Sequence, residues 1–144
     1  KIGYNSSYGG DHGIRMAEAY LNRAEALTRR FMTKGDENDR VQALNDLNTL
    51  RETRYVAGTY VDEEITNAQD LLDFCVNERR LELCMEEGFR WFDIKRFGLS
   101  VTHRYIDSEG TEREYVLESN SLLYALPIPY DAMERNYKLK QNPR

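Results

Sequence analysis

The sequence predicts a mainly α-helical fold, completed by a small β-hairpin and an irregular C-terminal strap. Three observations lead to this prediction. Apolar residues recur with the helical period over residues 13–54 and again over residues 66–97. β-formers flank a turn-like sequence at residues 107–110. Pro127 and Pro129 exclude a helix at the strap (residues 122–129), because proline has no amide hydrogen to donate and clashes with the preceding turn.

Residues 13–55 are predicted to form a helix hairpin. The first helix is predicted over Gly13–Met32 and the second over Asp39–Arg54, with Asn38 or Asp39 as the cap of the second. The polar link between them is short, so the two helices are expected to pack antiparallel. The predicted buried faces are Ile14, Ala17, Tyr20, Leu21, Ala24, Leu27 and Phe31 on the first helix, and Val41, Leu44, Leu47 and Leu50 on the second.

A loop over residues 55–65 is expected to precede a long helix over residues 66–97. Thr66 and Gln69 have the spacing of a capping box at its start. Glycine within a helix costs about 1 kcal/mol relative to alanine, so Gly88 is the expected position of a kink. The helix is therefore predicted to have two segments, with the segment over Phe89–Phe97 redirected.

A stripe of charge is predicted along this long helix. With about 100° per residue, the stripe contains Glu78, Glu82 and Glu86, with Arg79 and Arg90 at its edge and Asp93 and Arg96 returning to it if the helix stays regular. The predicted apolar flanks are Phe74, Leu81, Met85 and Phe92 on one side, and Leu72, Val76, Leu83 and Ile94 on the other. Buried charges must be paired, so this pattern predicts an internal lattice of ion pairs.

Residues 98–144 have β-formers, turn residues and prolines in place of the helical period of the preceding segments. Val101–Ile106 and 114–117 are predicted to pair as a small β-hairpin. The strap is predicted to be extended, because each proline disfavours helix at the residue before it. The polar tail, residues 136–144, is expected to need a host surface to become ordered.

Composition limits the possible classes of function. The 144 residues are enough for one domain with a hydrophobic core, and the net charge of -5 argues against a nucleic-acid partner. The sequence contains no apolar run of the length that a membrane-spanning helix needs. It opens at Lys1 with neither an initiator Met nor a signal peptide, so we expect a fragment of a longer protein.

Cysteine and histidine give no metal pattern. Cys75 and Cys84 would lie ~13 Å apart along a helix, too far for a disulfide, and both are interpreted as packing residues. His12 and His103 each stand without a second ligand at metal-binding spacing. No metal or cofactor is predicted.

Three stretches together resemble the C-terminal part of the SusD/RagB family of outer-membrane nutrient-binding lipoproteins. The first combines residues 15–26 (RMAEAYLNRAEA) with residues 43–51 (ALNDLNTLR). The second is the block from Glu78 to Gly98, and the third combines residues 123–129 (LYALPIP) with residues 139–143 (LKQNP). Their order and spacing are similar to those of the family over nearly the whole chain. The resemblance implies that residues 1–144 are a single domain or a fragment of a longer protein. Within it, residues 13–55 would form the helix hairpin, residues 66–97 the long helix, and residues 98–144 the β-hairpin and the extended tail.

The resemblance implies a tetratricopeptide-like helix pair and a non-enzymatic role. Such a protein captures oligosaccharides or other nutrients at the cell surface and delivers them to a TonB-dependent outer-membrane transporter. It would be anchored by an N-terminal lipid that this chain does not contain. No ligand-binding residue is transferred from the family, because its sugar site draws on loops outside this stretch.

Two other classes of function remain open at this point. The helix pair could be a tetratricopeptide-like interaction scaffold with an intracellular protein partner. Alternatively, Glu78 and Glu82, one helical turn apart, could be the carboxylate pair of a glycoside hydrolase. Neighbouring arginines argue for structural ion pairing instead. Replacing Glu82 with Gln distinguishes the two, since a hydrolase would lose activity and a scaffold would lose stability.

Several residues are candidate ligand or partner contacts. Trp91 could stack on a sugar, although packing in the interior is the favoured interpretation. Tyr4 and Tyr8, in a segment with Asn5 and Ser6, have the composition of a sugar-binding loop. The segment Pro127–Pro129 could be recognised by a partner in the polyproline form, or it could be a rigid strap packed on the helices.

Overall fold

The computed structural model describes residues 15–86 and 88–143, and within them the fold is mainly helical, as predicted. The chain divides into two compact units, residues 1–84 and residues 85–144. The first unit contains helices α1 (Met16–Lys34), α2 (Glu37–Glu52) and α3 (Ala68–Glu82). The second contains α4 (Phe89–Phe97), strands β1 (Val101–Ile106) and β2 (Glu112–Leu117), a 3₁₀ turn (Leu122–Tyr124) and α5 (Tyr130–Arg135).

Helices α1 and α2 form the predicted antiparallel hairpin. Gly35 ends α1 in the left-handed conformation, with φ of 68°, and its N–H donates to the carbonyl of Phe31 at 2.8 Å. The cap of α2 is Asp36, whose carboxylate accepts the N–H of Asn38, so the predicted caps Asn38 and Asp39 were wrong. Asp39 is instead buried and bound to Arg30 of α1, and a side chain engaged there cannot cap the helix.

The core of the first unit lies between the three helices. Val41 was predicted to be buried but is 46% exposed, and Tyr20 is only half-buried. Ile14 lies outside the described residues. The buried apolar side chains are Ala17, Leu21, Ala24, Leu27 and Phe31 of α1, Ala43, Leu44, Leu47 and Leu50 of α2, and Leu71 and Cys75 of α3. Most of the predicted faces of α1 and α2 are therefore confirmed.

Helix α3 begins one residue later than a Thr66 cap would require. The cap is Asn67, whose side-chain oxygen accepts the N–H groups of Gln69 and Asp70 at 2.8 and 3.1 Å. An asparagine side chain reaches these donors as well as a threonine hydroxyl does, which explains the shift. The loop predicted at residues 55–65 is confirmed, since no helix or strand occurs between α2 and α3.

The long helix is two helices, as predicted, but the break begins before Gly88. α3 ends at Glu82, and Met85 has a positive φ of 65°. The helical wheel therefore loses its phase beyond Glu82, which misplaces Met85 and Phe92. Leu81 lies within α3 but is exposed as well, so the predicted flank of Leu81, Met85 and Phe92 is wrong. These side chains are 53%, 95% and 59% exposed.

Strands β1 and β2 pair as the predicted antiparallel hairpin. The register runs from Val101 opposite Leu117 to Ile106 opposite Glu112. Asp107 organises the turn, because its carboxylate accepts the N–H groups of Glu109 and Thr111 at 2.9 and 3.0 Å.

The strap is only partly extended. Leu122–Tyr124 form a 3₁₀ turn, capped by the hydroxyl of Ser121, and α5 follows Pro129 directly. An extended course over all of residues 122–129 was therefore wrong, since proline excludes only the helical positions before it. The buried Tyr124 donates its hydroxyl to the carbonyl of Leu99 at 2.7 Å, which fastens the turn to the end of α4.

Side chains of the tail hold the strap. The Gln141 amide accepts the N–H of Ile128 at 2.8 Å and donates to its carbonyl at 3.0 Å, as a neighbouring strand would. The Asn142 amide donates to the carbonyl of Leu126 at 2.6 Å. The surface that orders the tail thus includes the strap itself.

Candidate functional site

The buried carboxylates of α3 are structural ion pairs. Glu78 accepts a hydrogen bond from Arg51 of α2, and both side chains are largely buried. Glu82 accepts from Arg15 at 2.6 Å and from Arg54, whose Nε lies 2.9 Å from Oε2. The predicted ion-pair lattice is confirmed for these two residues, with partners that come from the α1–α2 hairpin and its flanks rather than from α3 itself.

Other members of the predicted stripe also make polar contacts. Arg79 is buried on α3, donates to the side chain of Asn22 on α1 at 2.8 Å and forms an ion pair with Glu18 of α1 at 3.9 Å, so it extends the lattice to α1. In the second unit, Asp93 is buried and accepts from Arg96 at 2.9 Å, one turn later on α4. The stripe is therefore divided at the end of α3, because the helix that would have aligned its residues is interrupted there.

The geometry of Glu78 and Glu82 does not suit acid–base catalysis. Both oxygens of Glu82 are engaged by guanidinium groups, and Glu78 is 8% exposed. A catalytic carboxylate needs an oxygen within hydrogen-bond reach of a substrate. The hydrolase interpretation therefore has no structural support in this pair.

Arg51 is the centre of a second cluster in the first unit. Its guanidinium lies over the rings of Tyr55, Tyr60 and Phe74, at 5.7, 5.9 and 5.2 Å from their centroids. It also donates to Glu63 at 3.3 Å. Burial alone would lower the pKa of Arg51, but the charge of Glu78 and the interactions with Tyr60 and Tyr55 raise it overall. The cation is therefore firmly retained.

The loop between α2 and α3 is held to α2 by Asn48. The Asn48 side-chain oxygen accepts the Tyr60 hydroxyl at 2.7 Å and the N–H of Glu63 at 3.0 Å, and its NH₂ donates to the Glu63 carbonyl at 3.2 Å. Arg40 donates to the carbonyl of Ile65 at 3.0 Å. Backbone groups of the loop are thus satisfied by side chains of α2, which gives the loop a defined path.

A shallow depression of about 430 Å³ lies at the start of α1. Its lining residues are Arg15, Met16, Ala17, Tyr20, Thr49, Leu50, Thr53 and Arg54. The two arginines at its edge share one carboxylate, that of Glu82, which neutralises one of their two charges. The surface of the depression is mainly apolar.

The cysteines differ in environment. Cys75 is buried beside Thr28, with the two side chains 3.5 Å apart, and burial raises the pKa of its thiol to about 11. It is a packing residue, as predicted. Cys84 is exposed, so its interpretation as a packing residue was wrong. Within residues 15–86 and 88–143 no group of three His, Cys, Asp or Glu side chains could hold a metal ion.

The candidate contact residues lie in separate stretches of the sequence. Trp91 lies half-buried on α4, and Pro127–Pro129 belong to the strap held by the tail. Tyr4 and Tyr8, with Asn5 and Ser6, lie outside the described residues. Among the described residues, Trp91 and Pro127–Pro129 thus belong to different elements of the second unit.

A pair of tyrosines on the hairpin was missed in the sequence. Tyr105 and Tyr115 stack with ring centroids 5.2 Å apart and planes 1° from parallel, and their hydroxyls are 3.3 Å apart. The two residues are 39% and 68% exposed. The signal that could have revealed them is the alternation of strand residues, which places His103, Tyr105, Arg113 and Tyr115 on one face.

No helix among the described residues is long and apolar enough to cross a membrane.

The sequence matches known proteins along nearly its whole length. The model of the SusD family matches residues 2–144. A SusD-like protein of Formosa agariphila is 36% identical over 90 residues, which are 61% of this chain and 17% of that protein. The starch-binding protein SusD of Bacteroides thetaiotaomicron is 33% identical over 130 residues, which are 90% of this chain and 20% of that protein.

A solved structure agrees with these matches. The fold is similar to the crystal structure of a SusD-like protein from Bacteroides fragilis, with a TM-score of 0.53 and 27% sequence identity over 96% of this chain and 28% of that chain. The chain thus spans about a fifth of the length of the relatives named above. Family match, sequence relatives and fold agree, and the chain belongs to the SusD family.

Proposed function

We propose that this chain is the C-terminal part of a non-enzymatic lipoprotein that binds glycans at the cell surface and passes them to a TonB-dependent outer-membrane transporter. The observation that carries this proposal is the family match over residues 2–144. It is strengthened by the relative from Bacteroides thetaiotaomicron, which is a starch-binding protein and matches 90% of this chain.

The side-chain chemistry is consistent with binding rather than catalysis. Glu78 and Glu82 are occupied by arginines and serve to join α3 to its neighbours. Pairs of this kind are sensitive to removal of one partner, and they fix the relative position of packed helices. The role proposed for the first unit is therefore a rigid tetratricopeptide-like scaffold within the longer protein.

The proposal is tested on the full-length protein by affinity electrophoresis in gels that contain a polysaccharide. Gels with amylopectin, xylan, laminarin and alginate form the panel, and a gel without polysaccharide is the reference. Retardation in at least one of them, without release of reducing sugar, is the expected result. Full mobility in every gel, or hydrolysis of a retained polysaccharide, would contradict the proposal.

Cell fractionation tests the proposed location and partner. The expected result is a protein with a lipid-modified N-terminal cysteine in the outer-membrane fraction, purified together with a TonB-dependent transporter. An unmodified protein in the cytosol would leave the tetratricopeptide-like interaction scaffold as the better account of the helix pair.

A further inference from the structure

One face of the β-hairpin has the features of a ligand surface. Tyr105 and Tyr115 lie diagonally across the two strands, since Tyr105 is opposite Arg113 and Tyr115 is opposite His103. Each ring covers one face of the other, and Tyr115 remains 68% exposed. The stack thus presents a flat apolar ring face to solvent, backed by a second ring.

The polar groups around the rings are already positioned. Arg113 donates through Nε to Asp107 at 2.6 Å, and Asp107 is itself fixed by the turn amides. The two tyrosine hydroxyls lie 3.3 Å apart at the edge of the stack. An immobilised side chain loses little further entropy when a ligand binds, so this arrangement lowers the cost of binding.

We propose that the face formed by His103, Tyr105, Arg113 and Tyr115 is a glycan contact, with the Tyr115 ring as its platform. The apolar C–H face of a sugar ring would lie on Tyr115, and the sugar hydroxyls would exchange hydrogen bonds with the tyrosine hydroxyls, Arg113 and His103. This inference rests on the proposed function, because the glycan is the ligand class that the function supplies.

The opposite face of the same hairpin supports this choice of ligand. It carries Thr102, Arg104 and Ile106 opposite Val116, Glu114 and Glu112. There Arg104 and Glu114 pair directly across the strands at 2.6 Å, and none of these six residues is aromatic. Ring stacking with hydrogen-bonding groups at the rim occurs only on the tyrosine face of this hairpin. This combination of an apolar plane with polar edges complements a sugar, which is amphipathic in the same way.

The first test uses variants of the full-length protein. Tyr115→Ala is expected to weaken binding to the retarding polysaccharide by about tenfold, the effect of losing one good contact. Tyr115→Phe keeps the ring and is expected to retain most of the affinity. Val116→Ala, on the opposite face and itself 50% exposed, is the matched control and is expected to bind normally.

The second test needs no variant and therefore does not depend on the folding of a mutant. Tetranitromethane nitrates accessible tyrosines, and peptide mass spectrometry measures the extent at each position. A saturating amount of the bound polysaccharide is expected to protect Tyr115 and to leave the 89% exposed Tyr137 unchanged.

The outcomes separate the two proposals. If the wild-type protein binds a polysaccharide while Tyr115→Ala binds equally well and nitration of Tyr115 is unchanged, the hairpin site is refuted and the proposed function stands. If the wild-type protein binds no member of the panel, both the function and this site are refuted.

Discussion

The ion pair between Glu78 and Arg51 provides a quantitative test of the scaffold. Their side chains are 10% and 18% exposed, and removal of one partner of a buried pair costs about 3–5 kcal/mol. In Glu78→Gln, Arg51 would keep its ion pair with Glu63 at 3.3 Å. Because the Glu63 side chain is 43% exposed, this pair would compensate the charge of Arg51 only in part. We therefore expect the substitution to lower the free energy of unfolding by about 3 kcal/mol, the lower end of this range.

Hydrogen exchange in the full-length protein measures this loss locally. A destabilisation of about 3 kcal/mol corresponds to roughly 150-fold faster exchange of the protected amides of α3. Glu37→Gln is the control, because Glu37 forms an exposed pair with Arg40 and such pairs contribute about 0.2–1 kcal/mol. Equal effects of the two substitutions on α3 would refute the reasoning that burial makes Glu78 important.

Three further predictions concern other parts of the fold. The hydrogen bond from Arg30 lowers the pKa of Asp39 in the folded protein. The ion pair therefore stabilises the fold fully above the ordinary aspartate pKa of about 4, and this stabilisation is lost as the pH falls towards the lowered pKa. Asp39→Asn should remove this part of the acid dependence of unfolding. Gly98→Ala should lower the melting temperature more than Gly35→Ala, because both glycines have positive φ but only at Gly98 would a Cβ collide with a neighbouring side chain. Gln141→Ala should accelerate hydrogen exchange of the Ile128 amide by about fivefold, the effect of losing one net hydrogen bond of about 1 kcal/mol. Unchanged exchange at Ile128 would show that the tail does not hold the strap.

Local patterns in the sequence were sufficient for the helix hairpin and the β-hairpin. The period of the apolar residues located Leu21, Leu44 and Leu47 in the core, and the turn sequence around Asp107 placed the strands to within two residues. These features depend on neighbours in the chain, which the sequence shows directly. The family resemblance rested on longer stretches and is confirmed by the match over residues 2–144.

Features that depend on distant residues were predicted less well. A helical wheel for residues 66–97 assumed an unbroken helix, so it misplaced Met85 and Phe92, which lie beyond the end of α3 at Glu82. The wheel also could not show that the partners of Glu78 and Glu82 come from other elements, because it contains one helix only.

The contacts of the tail and of the tyrosine pair also join residues that are separated in the sequence, so local patterns did not predict them. The amide of Gln141 binds the backbone of Ile128, and nothing in the composition of either segment indicates that pairing. Tyr105 and Tyr115 become neighbours only once the register of the hairpin is known. A reading of strand alternation on both strands together would have placed them on one face.

The central claim is that this chain belongs to a surface lipoprotein that works with a transporter, and its most direct test is mass spectrometry of the mature protein recovered from the outer-membrane fraction. We predict a lipid-modified N-terminal cysteine and a TonB-dependent transporter purified in the same complex. An unmodified protein recovered from the cytosol, with no transporter, would contradict the claim.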